Sequence, residues 1–317
     1  MNKHFITSFS FTGLLQVACL GVVICTFAPL LSDWYWWFDL LSHFRVQYAL
    51  LSLLFLLGFV FSKRKVFSVI ALIVLSANVY LIWPHLAWGA STQNGQNTQT
   101  FKLFHANVYT ANQQHQLLIN QLNEEQPDVI ILQEIDHEWL KSLSVLNQDY
   151  PHRIELPRSD NFGLAVFSRL PIENERIHNW TTLDIPSVEF SVSSNKQLVN
   201  IITTHSPPPV NRYYFDAIAK QFHAIAQIIN NNPNTNHVVI GDLNTTVWSQ
   251  HYQILDSIEG IKNARAGFGL LPTWPTDLLP MMIPIDHCLV SEHINVTNIK
   301  TGQSIDSDHL PLIVELN

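Results

Sequence analysis

The sequence predicts an α/β domain carried on three transmembrane helices, and two observations lead to this prediction. Most of the first 90 residues are apolar, whereas the rest has the mixed composition of a soluble domain. In that second part, short apolar runs typical of strands alternate with segments of helical periodicity. About 217 residues with this alternation suit one α/β domain.

Three apolar stretches are long enough to cross a bilayer, namely Phe11–Leu31, Val46–Phe61 and Val66–Trp83. At a rise of about 1.5 Å per residue they span roughly 24 to 32 Å. The first stretch could instead be a cleaved signal peptide, because Lys3 precedes it. No convincing small-residue cleavage site follows, and the aromatic run at 34–38 is typical of an interfacial belt. We therefore favour a retained anchor.

The basic residues predict the orientation of these spans. Lys3 precedes the first span and residues 63–65 (Lys-Arg-Lys) fill the turn between the second and third, whereas the loop 32–44 has no Lys or Arg. The positive-inside rule then makes the amino terminus cytoplasmic and the domain extracytoplasmic. Arg45, at the outer end of the second span, is a minor exception to this rule and can snorkel there. We expect a bacterial inner-membrane protein, with a periplasmic domain if the source is Gram-negative.

The predicted domain is acidic. After residue 90 the chain has 12 Lys and Arg against 23 Asp and Glu, a formal net charge of −11, and no cluster of basic residues. Proteins that bind nucleic acid gain much of their affinity from contacts of Lys and Arg side chains with the phosphates. This balance argues against a general DNA- or RNA-binding protein.

The domain organisation follows from composition. An anchor of residues 1–83 and a domain of residues 101–317 are joined by a polar, turn-rich linker at 84–100. Strands are predicted at 101–109, 128–133, 164–168, 187–192, 198–204, 238–241, 285–290 and 310–316. Helices are predicted at 113–125, 138–146 and 211–229.

Polar side chains follow or open several of these strands. The tetrapeptide Gly241-Asp242-Leu243-Asn244 directly follows an apolar run. The other strand-end residues are Asn107, Glu134, His205, Asp286, Asp308 and His309. Each alone is more often a turn residue, a helix cap or a core histidine. Their shared placement is what a single site would require.

Three neighbouring residues are given no role in that site. His287 follows Asp286 on a strand, so alternation points it to the opposite face and favours a structural role. His105 precedes Asn107 by two residues and could share its face. Trp274 lies in a loop and could either rim a pocket or pack.

At these positions the chain resembles the endonuclease/exonuclease/phosphatase superfamily, the deoxyribonuclease I-like metal-dependent phosphoesterases. The resemblance covers roughly residues 101–317. It rests on Phe-His-Ala-Asn107, Leu-Gln-Glu134, the segment 161–169, Thr-His205, Gly-Asp242-Leu-Asn244, Ile-Asp286-His and Ser-Asp308-His309. Asp306 stands where a glycine often precedes Ser-Asp-His, and most members lack a three-helix anchor. The resemblance implies a four-layer α/β sandwich, in which two packed mixed β-sheets are flanked by helices.

The resemblance also implies a metal site. Glu134 is expected to be the principal carboxylate on Mg²⁺, with Mn²⁺ as an alternative, because these hard cations prefer oxygen ligands. Asn107 would support the metal ligand or a phosphate oxygen, and Asp308 would be a further metal contact. Asp242 would orient or deprotonate the attacking water.

The remaining residues of the motifs imply phosphate binding and proton transfer. Asn244 and His205 are expected to hold phosphate oxygens. His309 would donate a hydrogen bond to the phosphate or act as the general acid/base, with Asp286 as its orienting partner. No covalent intermediate is needed, since in-line water attack can be catalysed by positioning and electrostatics.

Three functions are compatible with this sequence. The favoured one is a membrane-tethered phosphoesterase whose partners are the lipid bilayer and a phosphorylated substrate, either a lipid headgroup or a small molecule. A nuclease is the runner-up, although the acidic composition makes nucleic acid a less favoured partner. A catalytically silent binding module on a membrane anchor is the third.

Overall fold

A computed structural model describes residues 10–87, 100–194 and 197–317. The chain divides into two compact units, Met1–Pro84 and His85–Asn317. Most of the linker predicted at 84–100 lies outside the described residues, so its boundaries stay a prediction.

Three helices build the first unit: α1 (Phe11–Phe27), α2 (Arg45–Phe61) and α3 (Lys65–Ile82). Short 3-10 turns extend them, at Ala28–Leu31, Trp36–Phe44 and Trp83–His85. The resulting segments Phe11–Leu31, Trp36–Phe61 and Lys65–His85 are long and apolar enough to cross a membrane. Many of their large apolar side chains point outward, a surface that suits lipid rather than water.

Arg45 does not snorkel as the sequence analysis expected. Its side chain is buried within the unit, and its Nη1 donates a hydrogen bond to the Thr26 carbonyl at 2.6 Å. Asn78 Nδ2 donates to Thr26 Oγ1 at 3.0 Å. Buried polar groups need such partners, and these two bonds tie α1 to α2 and to α3.

Two six-stranded mixed sheets form the centre of the second unit. Sheet 1 has the order β11-β12-β1-β2-β4-β3, and sheet 2 has the order β5-β6-β7-β8-β10-β9. Sheet 1 contains β1 (Phe101–Asn107), β2 (Val129–Gln133), β3 (His152–Leu156), β4 (Leu164–Ser168), β11 (Val296–Thr301) and β12 (Leu312–Leu316). Sheet 2 contains β5 (Ile172–His178), β6 (Ser187–Ser194), β7 (Gln197–Thr204), β8 (Asn236–Asp242), β9 (Ile261–Asn263) and β10 (Asp286–Ser291). The pairs β1–β2 and β7–β8 are parallel, and the other paired strands are antiparallel.

Helices cover the outer face of each sheet. They are α4 (His115–Glu125), α5 (His137–Ser142), α6 (Arg212–Asn231) and α7 (Tyr252–Asp256), and short 3-10 turns lie at Leu143–Asn147 and Leu279–Met281. Alternation along each strand separates three apolar clusters, because successive side chains point to opposite faces. Leu103 of β1 packs in the core between the sheets, whereas Phe104 packs beneath α4 and α5. A third cluster lies beneath α6 and α7. The predicted four-layer α/β sandwich is confirmed.

Four strands were missed by the sequence analysis, namely β3, β5, β9 and β11. Each lies at or beside a sheet edge, where little side-chain burial is required. The side chains of β5 (Ile-Glu-Asn-Glu-Arg-Ile-His) are mostly exposed. Such strands lack the apolar run that marks a buried strand in a sequence.

The core between the sheets changes from apolar to polar at one end. On β1 the side chains that face the core between the sheets are Leu103, His105 and Asn107. On β8 they are Ile240 and Asp242. Because β1, β2, β7 and β8 all end at this edge, their last inward side chains meet. The antiparallel strand β10 begins there, with Asp286 opposite Asp242.

Candidate active site

The residues predicted from strand ends come together at this polar edge. A cleft of about 490 Å³ is lined by Asn107, Glu134, His205, Asp242, Asn244, Asp308 and His309. Asp286 lies fully buried behind His309. All eight predicted positions therefore belong to one constellation.

Glu134 occupies the first position after β2, where the backbone turns away from the sheet. Its φ is 65°, a left-handed conformation that is rare for a non-glycine residue. The Asn107 Nδ2 donates to Glu134 Oε1 at 3.0 Å, and the Thr110 backbone N–H donates to Oε2 at 3.1 Å. The Tyr109 backbone N–H donates to Asn107 Oδ1 at 3.1 Å. These bonds hold a carboxylate and an amide oxygen at the cleft.

Two residues that were given no role position Asp242. The Gln133 side chain accepts a bond from the Asp242 backbone N–H at 2.9 Å and donates to the Thr204 carbonyl at 2.8 Å, which joins the two sheets beneath the cleft. A Cβ atom on Gly241 would lie 2.1 Å from that same carbonyl, so only glycine permits the close approach. The only sequence signal for Gln133 and Gly241 was that they directly precede Glu134 and Asp242 in the motifs.

Asp242 lies at the centre of the cleft. Its Oδ1 accepts a bond from the Asn244 backbone N–H at 2.8 Å. Its Oδ2 lies 3.3 Å from Asn107 Nδ2, 3.4 Å from His205 Nε2 and 3.6 Å from His309 Nε2. One carboxylate oxygen therefore faces both the amide beside Glu134 and two imidazoles.

Two imidazoles bracket the Asp286 carboxylate. The His309 Nδ1 donates to Oδ2 at 2.8 Å, and the His105 Nε2 donates to Oδ1 at 2.9 Å. All three side chains are buried. His105 is thus a member of the constellation that the sequence analysis left without a role, although its two-residue spacing from Asn107 placed it on the correct face.

Burial and charge act in opposite directions on these groups. Burial raises the pKa of Asp286, but the charges and hydrogen bonds of His309 and His105 outweigh it and hold that pKa well below its usual range. Burial lowers the pKa of His309, but Asp286 and Asp242 outweigh it and raise that pKa to about 10. The pKa of His205 is also raised, because its interactions with Asp242 outweigh burial. At neutral pH His309 is a charged donor whose Nε2 faces the cleft.

His287, next to Asp286, points to the other face of β10 as alternation predicts. Its Nε2 donates to the Thr245 carbonyl at 2.8 Å. Burial and the charge of Arg265 lower its pKa to about 3, so it stays neutral. It belongs to the packing behind the site.

Aromatic side chains line the cleft opening. The Trp274 Nε1 donates to Asp308 Oδ2 at 3.0 Å, which settles Trp274 as a residue of the cleft wall. The Phe162 ring lies 5.2 Å from the His205 ring. Phe162 belongs to the segment 161–169 of the sequence resemblance, but the sequence did not indicate this contact.

The sequence and fold place the chain among known proteins. The sequence profile of the Endonuclease/Exonuclease/phosphatase family matches residues 75–309. The chain belongs to this family. Its members are phosphoesterase hydrolases and generally depend on divalent metals. No curated protein matches the sequence.

Solved structures of the Endonuclease/Exonuclease/phosphatase fold superpose on 69% of the chain. One is D. rerio TDP2 complexed with a single-strand DNA product; it is 17% identical, the match covers 100% of its chain, and the TM-score is 0.60. Another is the human Nocturnin catalytic domain with a bound sulfate anion; it is 18% identical, the match covers 93% of its chain, and the TM-score is 0.56. A third is the endonuclease/exonuclease/phosphatase from Beutenbergia cavernae; it is 17% identical, the match covers 72% of its chain, and the TM-score is 0.56. At such identities the likeness shows the fold.

The donor atoms in the cleft suit the divalent cation that the family generally requires. Glu134, Asn107 and Asp308 offer oxygen ligands, and Asp308 Oδ1 is buried without a hydrogen-bond partner in the described part of the chain. Ligand atoms of Asp242, Asp286 and His309 also lie within 4.8 Å of one another. Asp286, however, is fully buried behind His309 and is not among the described residues that line the cleft, and a protonated imidazole has no free lone pair. The oxygen set around Glu134 therefore fits a hard cation better.

Proposed function

We propose that this chain is a membrane-anchored, divalent-metal-dependent phosphoesterase that hydrolyses a phosphodiester or phosphomonoester by in-line attack of water. The observation that carries this proposal is the position of Asp242. Its carboxylate lies between the oxygen ligands around Glu134 and the charged imidazole of His309. One cleft thus combines a cation site, an acceptor for a water proton and donors for phosphate oxygens.

Glu134, Asn107 and Asp308 would hold Mg²⁺, with Mn²⁺ as the alternative. When bound, such an ion polarises a phosphoryl oxygen and offsets charge on the leaving oxygen. Asn107 also donates to Glu134, so its amide holds the carboxylate in place while its oxygen remains close to the cleft.

The remaining groups orient water and phosphate. Asp242 Oδ2 orients the attacking water and accepts its proton. His309 Nε2 donates to a non-bridging phosphate oxygen and is available to protonate the leaving oxygen, because Asp286 and Asp242 keep the imidazole charged. Asn244 Nδ2 and His205 Nε2, 3.4 Å apart, supply further donors to the phosphate. Fixed donors of this kind stabilise charge as it develops.

The favoured substrate is a lipid headgroup or a small phosphorylated molecule. None of the described residues that line the cleft is Lys or Arg, whereas proteins that hold a polynucleotide backbone rely on such cations. The three membrane-length helices in the same chain favour a lipid.

A nuclease is the second candidate, because D. rerio TDP2, which shares the fold, was solved with a single-strand DNA product. The two candidates are separated by measuring DNA cleavage at two salt concentrations. Efficient cleavage with a steep loss at the higher salt would overturn the lipid preference.

For the membrane we propose three crossings of a bacterial inner membrane, with a cytoplasmic amino terminus and an extracytoplasmic domain. The support is the position of residues 63–65 between the second and third spans. A reporter fused after residue 317 that is active only in the cytoplasm would overturn this orientation.

The activity is tested with the full chain in detergent. Phospholipids, sphingomyelin, inositol phosphates, bis(p-nitrophenyl) phosphate and DNA are incubated with the protein and Mg²⁺ or Mn²⁺. Hydrolysis that disappears in Glu134→Ala is the expected result. No hydrolysis with either metal would favour the binding-module alternative, and unchanged hydrolysis in the variant would remove Glu134 from the mechanism.

A further inference from the structure

An exposed apolar loop borders the catalytic cleft. Leu278, Leu279 and Met281 are 52%, 72% and 36% exposed, and Pro280 between them is exposed as well. Four consecutive apolar residues at the surface of a soluble domain are unfavourable unless something covers them. We call residues 277–282 the apolar loop.

The base of the apolar loop is bonded to the segment that carries Asp308. The Thr276 backbone N–H donates to the Asp308 carbonyl at 3.0 Å, and Thr276 Oγ1 donates to the Ser307 carbonyl at 2.8 Å. Trp274, just before the loop, donates to the Asp308 carboxylate. Whatever covers the apolar loop is therefore held close to the catalytic groups.

A second cleft of about 700 Å³ lies between the apolar loop and the catalytic cleft. The two clefts share Trp274 and Asp308. Its lining combines two kinds of side chain. The apolar ones are Tyr109, Pro275, Leu279, Met282 and Leu310, and the acidic ones are Asp277, Asp306 and the shared Asp308. A substrate with its phosphate beside His309 would thus place an attached apolar group in this side cleft.

The catalytic cleft has further apolar residues at or near its lining, beside the polar Asp160 and Asn161. Pro208 lines the cleft, and the nearby Val210 and Tyr213 are exposed. None of the described residues lining either cleft is Lys or Arg. The two clefts therefore offer apolar contact beside acidic side chains, without positive charge.

The rest of the chain indicates what covers the apolar loop. Its first unit carries three membrane-length helices, and only residues 84–100 separate Trp83 from β1. A connection of that length spans at most roughly 60 Å, so the domain cannot leave the neighbourhood of a bilayer. The net charge of −11 after residue 90 gives no attraction to anionic lipids. Contact would have to come from apolar side chains entering the interface.

We propose that the tip of the apolar loop, Leu278 and Met281, enters the bilayer interface, and that the side cleft takes the glycerol and acyl portion of a membrane lipid. The lipid phosphate then lies in the catalytic cleft. This inference rests on the proposed phosphoesterase function for the substrate, but the lipid contact of the tip can be measured without catalysis.

The lipid contact is tested with a polarity-sensitive fluorophore on Leu278→Cys in the full chain, reconstituted in phosphatidylcholine nanodiscs. The matched control is Leu198→Cys, which is 42% exposed at the opposite end of sheet 2 from His205. Both variants are made in a Cys25→Ser background, because Cys25 in α1 is half-buried whereas Cys19 and Cys288 are buried, and this background alone gives the labelling blank. Blue-shifted emission and quenching by nitroxide lipids are expected at 278 and not at 198. Water-like emission at 278 without quenching would overturn the proposal.

The consequence for catalysis is tested with the double variant Leu278→Asp/Met281→Asp. The measured quantity is turnover of bilayer phospholipid divided by turnover of bis(p-nitrophenyl) phosphate in the same preparation. We expect this ratio to fall at least about tenfold, since two apolar contacts are replaced by charges. Leu198→Asp should leave it at the parent value. An unchanged ratio in the double variant would overturn the inference, whereas absence of all turnover in the parent would instead overturn the proposed function.

Discussion

The two sides of the cleft are built from different hydrogen-bonding chemistry. On the carboxylate side, Glu134 and Asn107 are held by backbone N–H groups and by each other. On the imidazole side, Asp286 is enclosed by His105 and His309. The first arrangement leaves oxygen atoms for a hard cation, whereas the second fixes a proton on a ring nitrogen.

Under the proposed function, the fold separates two tasks, cation binding on the carboxylate side and proton donation on the imidazole side. Asn107 and Glu134 stand at the ends of the parallel pair β1–β2 within one sheet. The imidazole side instead crosses between the sheets, because Asp286 belongs to β10 while His105 and His309 belong to β1 and to the segment before β12. Asp242 lies between the two sides, so perturbing it should affect both.

The largest loss of activity is expected for Asp242→Asn. The amide keeps the shape but cannot accept the proton of the attacking water, and it removes a charge that keeps His309 protonated. We expect kcat/KM for a soluble phosphodiester to fall by at least about 10³-fold, measured with Mg²⁺ present. A loss of less than tenfold would remove Asp242 from the chemistry.

The next loss is expected for His309→Gln, which breaks only the imidazole side. Removing a positioned donor typically lowers turnover about 10²–10³-fold. Mg²⁺ affinity, measured by calorimetry, should stay close to that of the parent. His287→Asn is the matched control, because His287 is a buried imidazole on the face of β10 opposite Asp286; we expect lower thermal stability but nearly parental turnover. Equal losses of turnover in both variants would contradict the assignment of His309 to the cleft and of His287 to the packing behind it.

A smaller loss is expected for His105→Leu, because His105 acts only through Asp286. The variant leaves one oxygen of a fully buried carboxylate without its donor. We expect kcat to fall about 30-fold with little change in KM. His105→Gln can place an amide N–H near the same oxygen and should recover most of kcat. Equal losses in the two variants would show that the packing of the ring, and not its hydrogen bond, matters.

Much of this cleft could be predicted because strand alternation and strand ends are visible in a sequence. Buried apolar runs located the central strands, and polar residues at their ends located Asn107, Glu134 and Asp242. Alternation also assigned His287 correctly to the outer face. These features depend on short-range geometry that every strand shares.

The missed residues depend on contacts between distant parts of the chain. Gln133 matters because sheet 2 brings the Thr204 carbonyl within 2.8 Å, and the sequence does not show how the sheets meet. A role for His105 could be predicted only by knowing that Asp286 would face it across the core. Arg45 was expected at a membrane interface, but the packing of α1 against α2 buried it against Thr26 instead. Such pairings are set by tertiary packing rather than by local pattern.

The smallest effect on turnover is expected for Gln133→Leu. In the parent, the Gln133 side chain supports both the carboxylate side and the imidazole side of the cleft without touching either. The variant leaves the Asp242 N–H and the Thr204 carbonyl without their partner and should cost about 2 kcal/mol of stability. For a domain of this size that corresponds to roughly 4–8 °C in Tm. Thermal unfolding of the detergent-solubilised chain measures the shift, and kcat should change by less than about tenfold. An unaltered Tm would show that this bridge between the sheets is dispensable.

The assignment of the cation to the carboxylate side is tested by Mg²⁺ binding, measured by calorimetry in the parent, in Glu134→Gln and in His309→Gln, with phosphodiester turnover measured on the same samples. We predict that the parent binds Mg²⁺ and is active. Glu134→Gln should lose both binding and activity, and His309→Gln should lose activity alone. Mg²⁺ binding that survives in Glu134→Gln, or that disappears only in His309→Gln, would contradict the assignment of the cation to the carboxylate side.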